Sequence, residues 1–248
     1  MLNCGSMGFT IETPSGGESS VRLLESGMYG LWQFLSDCKD TCYEAQLEFF
    51  RRAVNNEDHR DKMEQWYVDM SNQTLTEDTW RVPYAGNGKY FPEYYVLPVD
   101  AAAQRDPADA YAHGRVPDPQ RRPGFPPASR AQLRVDGVTY KAGSLVVDMY
   151  QAKRNYANCV LNQGYDASAS GFPSLYSESV SSFPNMRGFD CAPIDTVGAF
   201  EGALEAVTEV QSASQSTGSG SIALLANNGT ETVRTVNALL ARARRWAW

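Results

Sequence analysis

The stretch "AGSLVVDMYQAKRNYANCVLNQG", residues 142–164, decides the fold class. Its first half, Ser144 to Asp148, is a short apolar, β-branched run ending on a carboxylate, which predicts a strand. Its second half, 150–164, predicts a helix closed by Gly164, because glycine takes the left-handed conformation that ends helices at no steric cost. A strand passing straight into a helix places the chain in the α/β class.

Upstream of that unit, "LRVDGVTYK" (133–141) reads as a hairpin turning on Asp136-Gly137. Before it, residues 114–131 are rich in proline and arginine and poor in apolar groups. Such a composition cannot form a regular helix or a central strand, so a long surface loop, linker or disordered insertion is expected. Residues 80–97 read as a hairpin or paired strands around a Gly86-Asn87-Gly88 turn, with "YYVLPVD" (94–100) a buried strand and 106–113 helical. Nearer the start, Val21, Leu24, Met28, Leu31 and Leu35 recur at helical spacing, with Ser19 or Ser20 as N-cap. A second helix is expected over 40–54, with Leu47, Phe50 and Val54 facing a core, followed by a solvated break at 55–62. Downstream, 165–200 is loop-rich, 199–211 fits strand or helix, and 216–221 reads as a flexible turn. "IALLAN" (222–227) reads as a buried strand, and 229–243 as an amphipathic helix with a stripe of Val233, Val236, Leu239 and Leu240.

Composition narrows the function classes. The chain has 248 residues, 42% hydrophobic and 21% charged, enough for one large or two small cores. Its formal net charge is −7, and the basic residues form no long run, which disfavours a nucleic-acid partner. No apolar run reaches the roughly 18–20 residues of a membrane helix, so no membrane partner is expected. Residues 1–20 lack the charged and apolar regions of a signal peptide. The five cysteines are odd in number. Cys38 and Cys42 sit four apart on one expected helical face, as two thiols or one local disulfide, with no further metal ligands nearby. The two histidines, His59 and His113, stand apart and outside any H-x-x-E or H-E-x-x-H pattern. A nucleophile elbow, a Walker loop and a dinucleotide fingerprint are also missing. A cysteine-based enzyme would rest on the odd thiol count alone.

One carboxylate stands out. In "MGFTIETPSGGESS" (7–20), Phe9 and Ile11 alternate with Thr10 and Glu12, the period of a strand, before a Gly-rich turn. A partly desolvated carboxylate there is suited to general-base work, since burial raises its pKa toward neutrality. A strand-end glutamate facing water fits the same residues.

The same stretch resembles the zinc carboxypeptidase family, the carboxypeptidase A-like metallopeptidases, in which an apolar strand ends in the catalytic glutamate. The resemblance implies that Glu12 is the general base and acid, acting on zinc-bound water and then on the leaving amine. The block 142–168 is similar to a segment that follows the catalytic domain in large bacterial members. There a strand leads into an Asp-x-x-Gln-x-x-Arg pattern, a helix and a loop with Tyr and Asp, matched here by Asp148, Gln151, Arg154, Tyr165 and Asp166. Residues 218–240 also look like that accessory region.

The family's zinc ligands and substrate-carboxylate arginine belong upstream of the glutamate strand, and residues 1–8 supply none of them. The expectation is therefore a C-terminal part of the catalytic domain over 1–75 and a mixed α/β accessory region over 80–248. It includes zinc and a peptide substrate in the whole enzyme, no zinc and no turnover in this chain, and an extracellular or cell-envelope setting. The Pro/Arg stretch and the closing "ARARRWAW" depart from the family and fit either a disordered insertion or out-of-frame GC-rich coding. A second expectation, from another class, is a non-catalytic module binding peptide or carbohydrate through Tyr165, Phe172, Tyr176, Phe183 and Phe189.

Overall fold

The computed structural model describes residues 16–71, 89–100, 103–107, 109–110, 128–163, 182–207 and 229–241, with single positions 5, 8, 13, 222, 224 and 225 besides. The architecture is mixed α/β. In chain order the elements are α1 (Glu18–Asp37), α2 (Lys39–Val54), α3 (Arg60–Ser71), β1 (Tyr94–Leu97), β2 (Ala128–Ser129), β3 (Leu133–Val135), β4 (Val138–Tyr140) and β5 (Leu145–Asp148). They continue with α4 (Arg154–Leu161), α5 (Phe183–Arg187), β6 (Ala192–Ile194), β7 (Leu204–Glu205) and α6 (Thr230–Ala241).

The centre is a five-stranded sheet of order β6-β1-β5-β2-β7, antiparallel at every pairing. Tyr95 opposes Val147 and Val96 opposes Val146, so apolar residues meet across the ladder. All four residues of β1 are buried, as are Leu145, Val146 and Val147 of β5. Alternation then sorts them onto two faces. Tyr95, Leu97, Leu145 and Val147 join one cluster with Ala157, Val160 and Leu161 of α4 and with Phe189. Tyr94, Val96 and Val146 join the other with Val135 and Tyr140 of the β3–β4 hairpin, Ile194 and Phe200. The strand-then-helix reading of 144–164 is therefore the core of the molecule, with α4 lying over the strand that precedes it.

The hairpin turns where the sequence places it. Asp136 and Gly137 have φ of 50° and 81°, the left-handed pair whose twist matches the flanking strands. Helices α1 and α2 also fall within a few residues of their expected bounds.

Other expectations are corrected. β1 is no hairpin arm, since its two edges are taken by β5 and β6; the Gly86–Gly88 turn lies outside the described residues. The 114–131 segment is not all loop: Ala128 and Ser129 are buried in β2, between β5 and β7. They follow the last proline of the run, and their small side chains fit the interior. α4 ends at Leu161, where Asn162 turns extended at ψ 138°, so it stops before Gly164, which lies outside the described residues. The 55–62 break is shorter than expected, because α3 begins at Arg60. Within 199–211 a strand forms, β7. "IALLAN" is not a buried strand: Ile222, Leu224 and Leu225 are exposed and lie outside the sheet. The expected core-facing stripe of α2 is overturned at Leu47 and Val54, which are exposed, while Phe50 is half-buried.

Phe189 is fully buried against α4 and the sheet, whereas Val138 is half exposed on the hairpin. Truncating Phe189 to Ala is expected to cost about 3–5 kcal/mol of unfolding free energy. Val138→Ala is expected to cost no more than about 0.5 kcal/mol. Urea denaturation of the two variants measures the contrast.

Candidate functional site

Phe9, Thr10, Ile11 and Glu12 of the expected strand lie outside the described residues, as do His113, Tyr165, Phe172, Tyr176 and Asp166. Phe183 is half-buried against the core, and Phe189 is wholly within it and so is not available as a binding surface. Asp148, Gln151 and Arg154 do come together, as a structural corner between β5 and α4. The Tyr150 backbone N–H donates to Asp148 Oδ1 at 2.8 Å, and Gln151 Nε2 donates to the Asp148 carbonyl at 2.5 Å. Burial pushes the Asp148 carboxyl up from its ordinary value.

The residues that the sequence pattern did not single out lie beside this corner. Helix α2 ends in a complete Schellman motif. The Glu57 N–H reaches the Arg52 carbonyl at 2.9 Å, and the Asn56 N–H reaches the Ala53 carbonyl at 3.2 Å. The left-handed position, normally glycine, is held by Asn56 with φ 48°. Asparagine tolerates that conformation and brings a side chain with it. That side chain is buried and bridges two charges: Nδ2 donates to Glu93 Oε2 at 3.2 Å, and Oδ1 accepts from Arg154 Nη1 at 3.1 Å. Arg154 Nη1 also donates to the Glu57 carbonyl at 3.0 Å.

Glu93 precedes β1 and is fully buried. Burial alone would raise its pKa, but hydrogen bonds from Lys89, Tyr150 and Asn56 and the Lys89 charge outweigh that, and the net shift is downward. The Lys89 ammonium stands 2.6 Å from Glu93 Oε1. Arg154 is also shifted down, but against its charged form: burial, helped by the Arg52 charge, brings its pKa to about 10, still cationic at neutral pH. Its guanidinium lies 4.3 Å from the centre of the Phe91 ring, a cation–π stack.

Between α2, α3 and the start of α4 this arrangement opens a cleft of about 550 Å³. Phe49, Met63 and Phe91 give it carbon walls, while Arg52, Arg154 and His59 give it cationic or titratable groups. Glu57 is the one carboxylate among its described lining residues, already committed to Arg51 at 2.5 Å, Asn55 at 2.9 Å and His59 at 3.0 Å. Hydrogen bonds from Arg51, Asn55 and His59 hold the Glu57 carboxyl down at about 2.

The donor set does not suit zinc. Among the described residues no three His, Cys, Asp or Glu side chains converge as a metal cage, and His59 meets Glu57 alone. Cys38, Cys42, Cys159 and Cys191 are free thiols, so Cys38 and Cys42 form no disulfide. Burial pushes the Cys191 thiol up, the wrong direction for a nucleophile. Among the described residues no helix is long and apolar enough to cross a membrane. Comparison of the chain with protein-family models, curated proteins and solved structures gives no match.

Asn56 supplies both a backbone conformation and a bridge, and two substitutions separate them. Asn56→Gly keeps the left-handed turn and strands the hydrogen-bonding groups of Glu93 and Arg154, an expected loss of about 1–3 kcal/mol. Asn56→Ala is expected to lose about 1 kcal/mol more, through the strained φ. Thermal melts of both variants give the order. The depressed Glu93 pKa adds a pH signature. Its stabilisation is present above the unfolded-state value, near 4.3, and is lost as pH falls through the lower folded value. Glu93→Gln should flatten that acid limb in denaturation at pH 2–6.

Proposed function

We propose that this chain is a part of a zinc carboxypeptidase-type peptidase acting outside the cell, inactive by itself because it lacks the zinc ligands, with helices α1 to α3 packing against the rest of the catalytic body, which carries the metal. Two motifs support the reading, the Phe-Thr-Ile-Glu strand pattern ending on Glu12 and the 142–168 block. The observation that carries it is apolar surface. Trp32 of α1, Leu47 of α2 and Met70 of α3 are 59%, 66% and 70% exposed, and Val21, Tyr29, Tyr43 and Trp66 are exposed with them. Helices in water present apolar stripes to a core, and such a concentration on three consecutive helices marks a surface made to be covered. A peptidase body would cover it, with the general base Glu12 entering from this chain and zinc from the other side.

No chemical step follows from the described residues, which offer no zinc cage. The competing reading, an aromatic surface for peptide or carbohydrate, loses Phe189 to the core.

The purified chain is expected to carry less than stoichiometric zinc by elemental analysis and to leave C-terminal peptide bonds intact. Stoichiometric zinc with turnover abolished by Glu12→Gln would overturn the division of labour. Trp32→Glu and Leu47→Glu together should reduce hydrophobic-dye binding and self-association with a Tm change of no more than a few degrees. A chain unfolded by that pair would show that the residues serve its own core, and the proposed cover would fail.

A further inference from the structure

We infer that the cleft between α2, α3 and α4 binds a small organic monocarboxylate with an aromatic or alkyl body. The inference stands on that cleft alone and holds whichever enzyme the chain belongs to.

The first support is an incomplete charge balance. Arg154 is 94% buried by the complement of its 6% exposure. Its Nη1 is used by two neutral acceptors, the Asn56 amide oxygen and the Glu57 carbonyl. Its Nε is buried and has no hydrogen-bond acceptor among the described residues. Arg52, on the same wall, also has a buried Nε without an acceptor among the described residues, and meets Glu48 only at 3.8 Å, beyond hydrogen-bond range. The carboxylate of Glu57 cannot serve either arginine well, because Arg51, Asn55 and His59 already occupy it. Buried cations are normally paired, and an unanswered N–H costs its full desolvation. The Nε side of a guanidinium is part of the planar fork that takes a carboxylate through two parallel bonds.

The second support is shape. A cleft of about 550 Å³ is several times larger than a bare oxyanion needs and falls in the range of small-molecule sites. Phe49, Met63 and Phe91 line it with carbon. An acid with an apolar body satisfies both walls, with the charge toward the arginines and the body against the rings and the thioether. Inorganic phosphate satisfies only one, because it leaves the carbon walls of Phe49, Met63 and Phe91 without an apolar partner.

The test uses the full chain and three probes: phenylacetate, its neutral analogue phenylacetamide, and inorganic phosphate, each titrated by calorimetry and by amide NMR shifts. Phenylacetate is expected to saturate one site, shifting the amides of α2, α3 and α4, with phenylacetamide at least about tenfold weaker. Arg154→Gln risks unfolding the chain, so the decisive variants are at the rim. Arg52→Gln should weaken phenylacetate about tenfold, and Met63→Glu, which places a carboxylate in the cleft, should abolish binding. Both should keep the wild-type Tm within a few degrees. Equal affinity for the amide would overturn the inference, as would phosphate binding without phenylacetate binding. It would also be overturned by no saturation up to about 10 mM, or by unchanged affinity in both rim variants.

Discussion

The constraint on which the rest depends is a buried guanidinium. Arg154 begins α4 beneath the helical layer, and its charge must be answered where water does not reach. The answer is assembled from three parts of the chain: the Asn56 amide and Glu57 carbonyl at the end of α2, the Phe91 ring, and, through Asn56, the Glu93 carboxylate beside β1. None of these satisfies the arginine alone. The left-handed turn at Asn56, the approach of β1 and the first turn of α4 must all be in place together. That mutual dependence ties the helices to the sheet more specifically than apolar contact would.

Two kinds of cohesion meet at this junction. Within the sheet, β1 and β5 bury both faces, and the two clusters interlock through period-2 alternation. Between sheet and helices the contact is polar and directional, with a half-apolar cleft left beside it. Helices α1 to α3 keep much of their apolar surface outward, so their amphipathic pattern is satisfied only in part by the residues described. The same polar junction that holds α2 in place therefore also sets the shape of the cleft and the arginines that line it.

Local signals explain what was legible in the sequence. The Asp136-Gly137 turn, the β5–α4 unit and the first two helices depend on neighbours within a few residues. Their periodicity and turn chemistry carry over directly into structure. Apart from helix bounds at α3 and α4, the misses are non-local. Ala128 and Ser129 become a buried strand because β5 and β7 offer edges on either side, a fact hidden behind the proline-rich run. "IALLAN" has the composition of a buried strand, yet Ile222, Leu224 and Leu225 stand outside the sheet and exposed. The partners of the buried network, Glu93 and Arg154, lie 37 and 98 positions from Asn56, so no spacing rule connects them. An Asn at a helix end was a signal available to find the turn, though not its bridging role.

By itself, then, the sequence determined the α/β class, the hairpin, the strand-to-helix unit and the extent of the first helices, because backbone propensity and side-chain period act over a handful of residues. It also pointed to Glu12 and to a peptidase resemblance through short motifs. The tertiary structure alone decided which strands are central, which arginine is buried, and that a cleft with two incompletely paired guanidiniums opens between three helices. Burial and charge compensation are properties of groups brought together from distant positions, and their energies appear only once water has been excluded from the space between them.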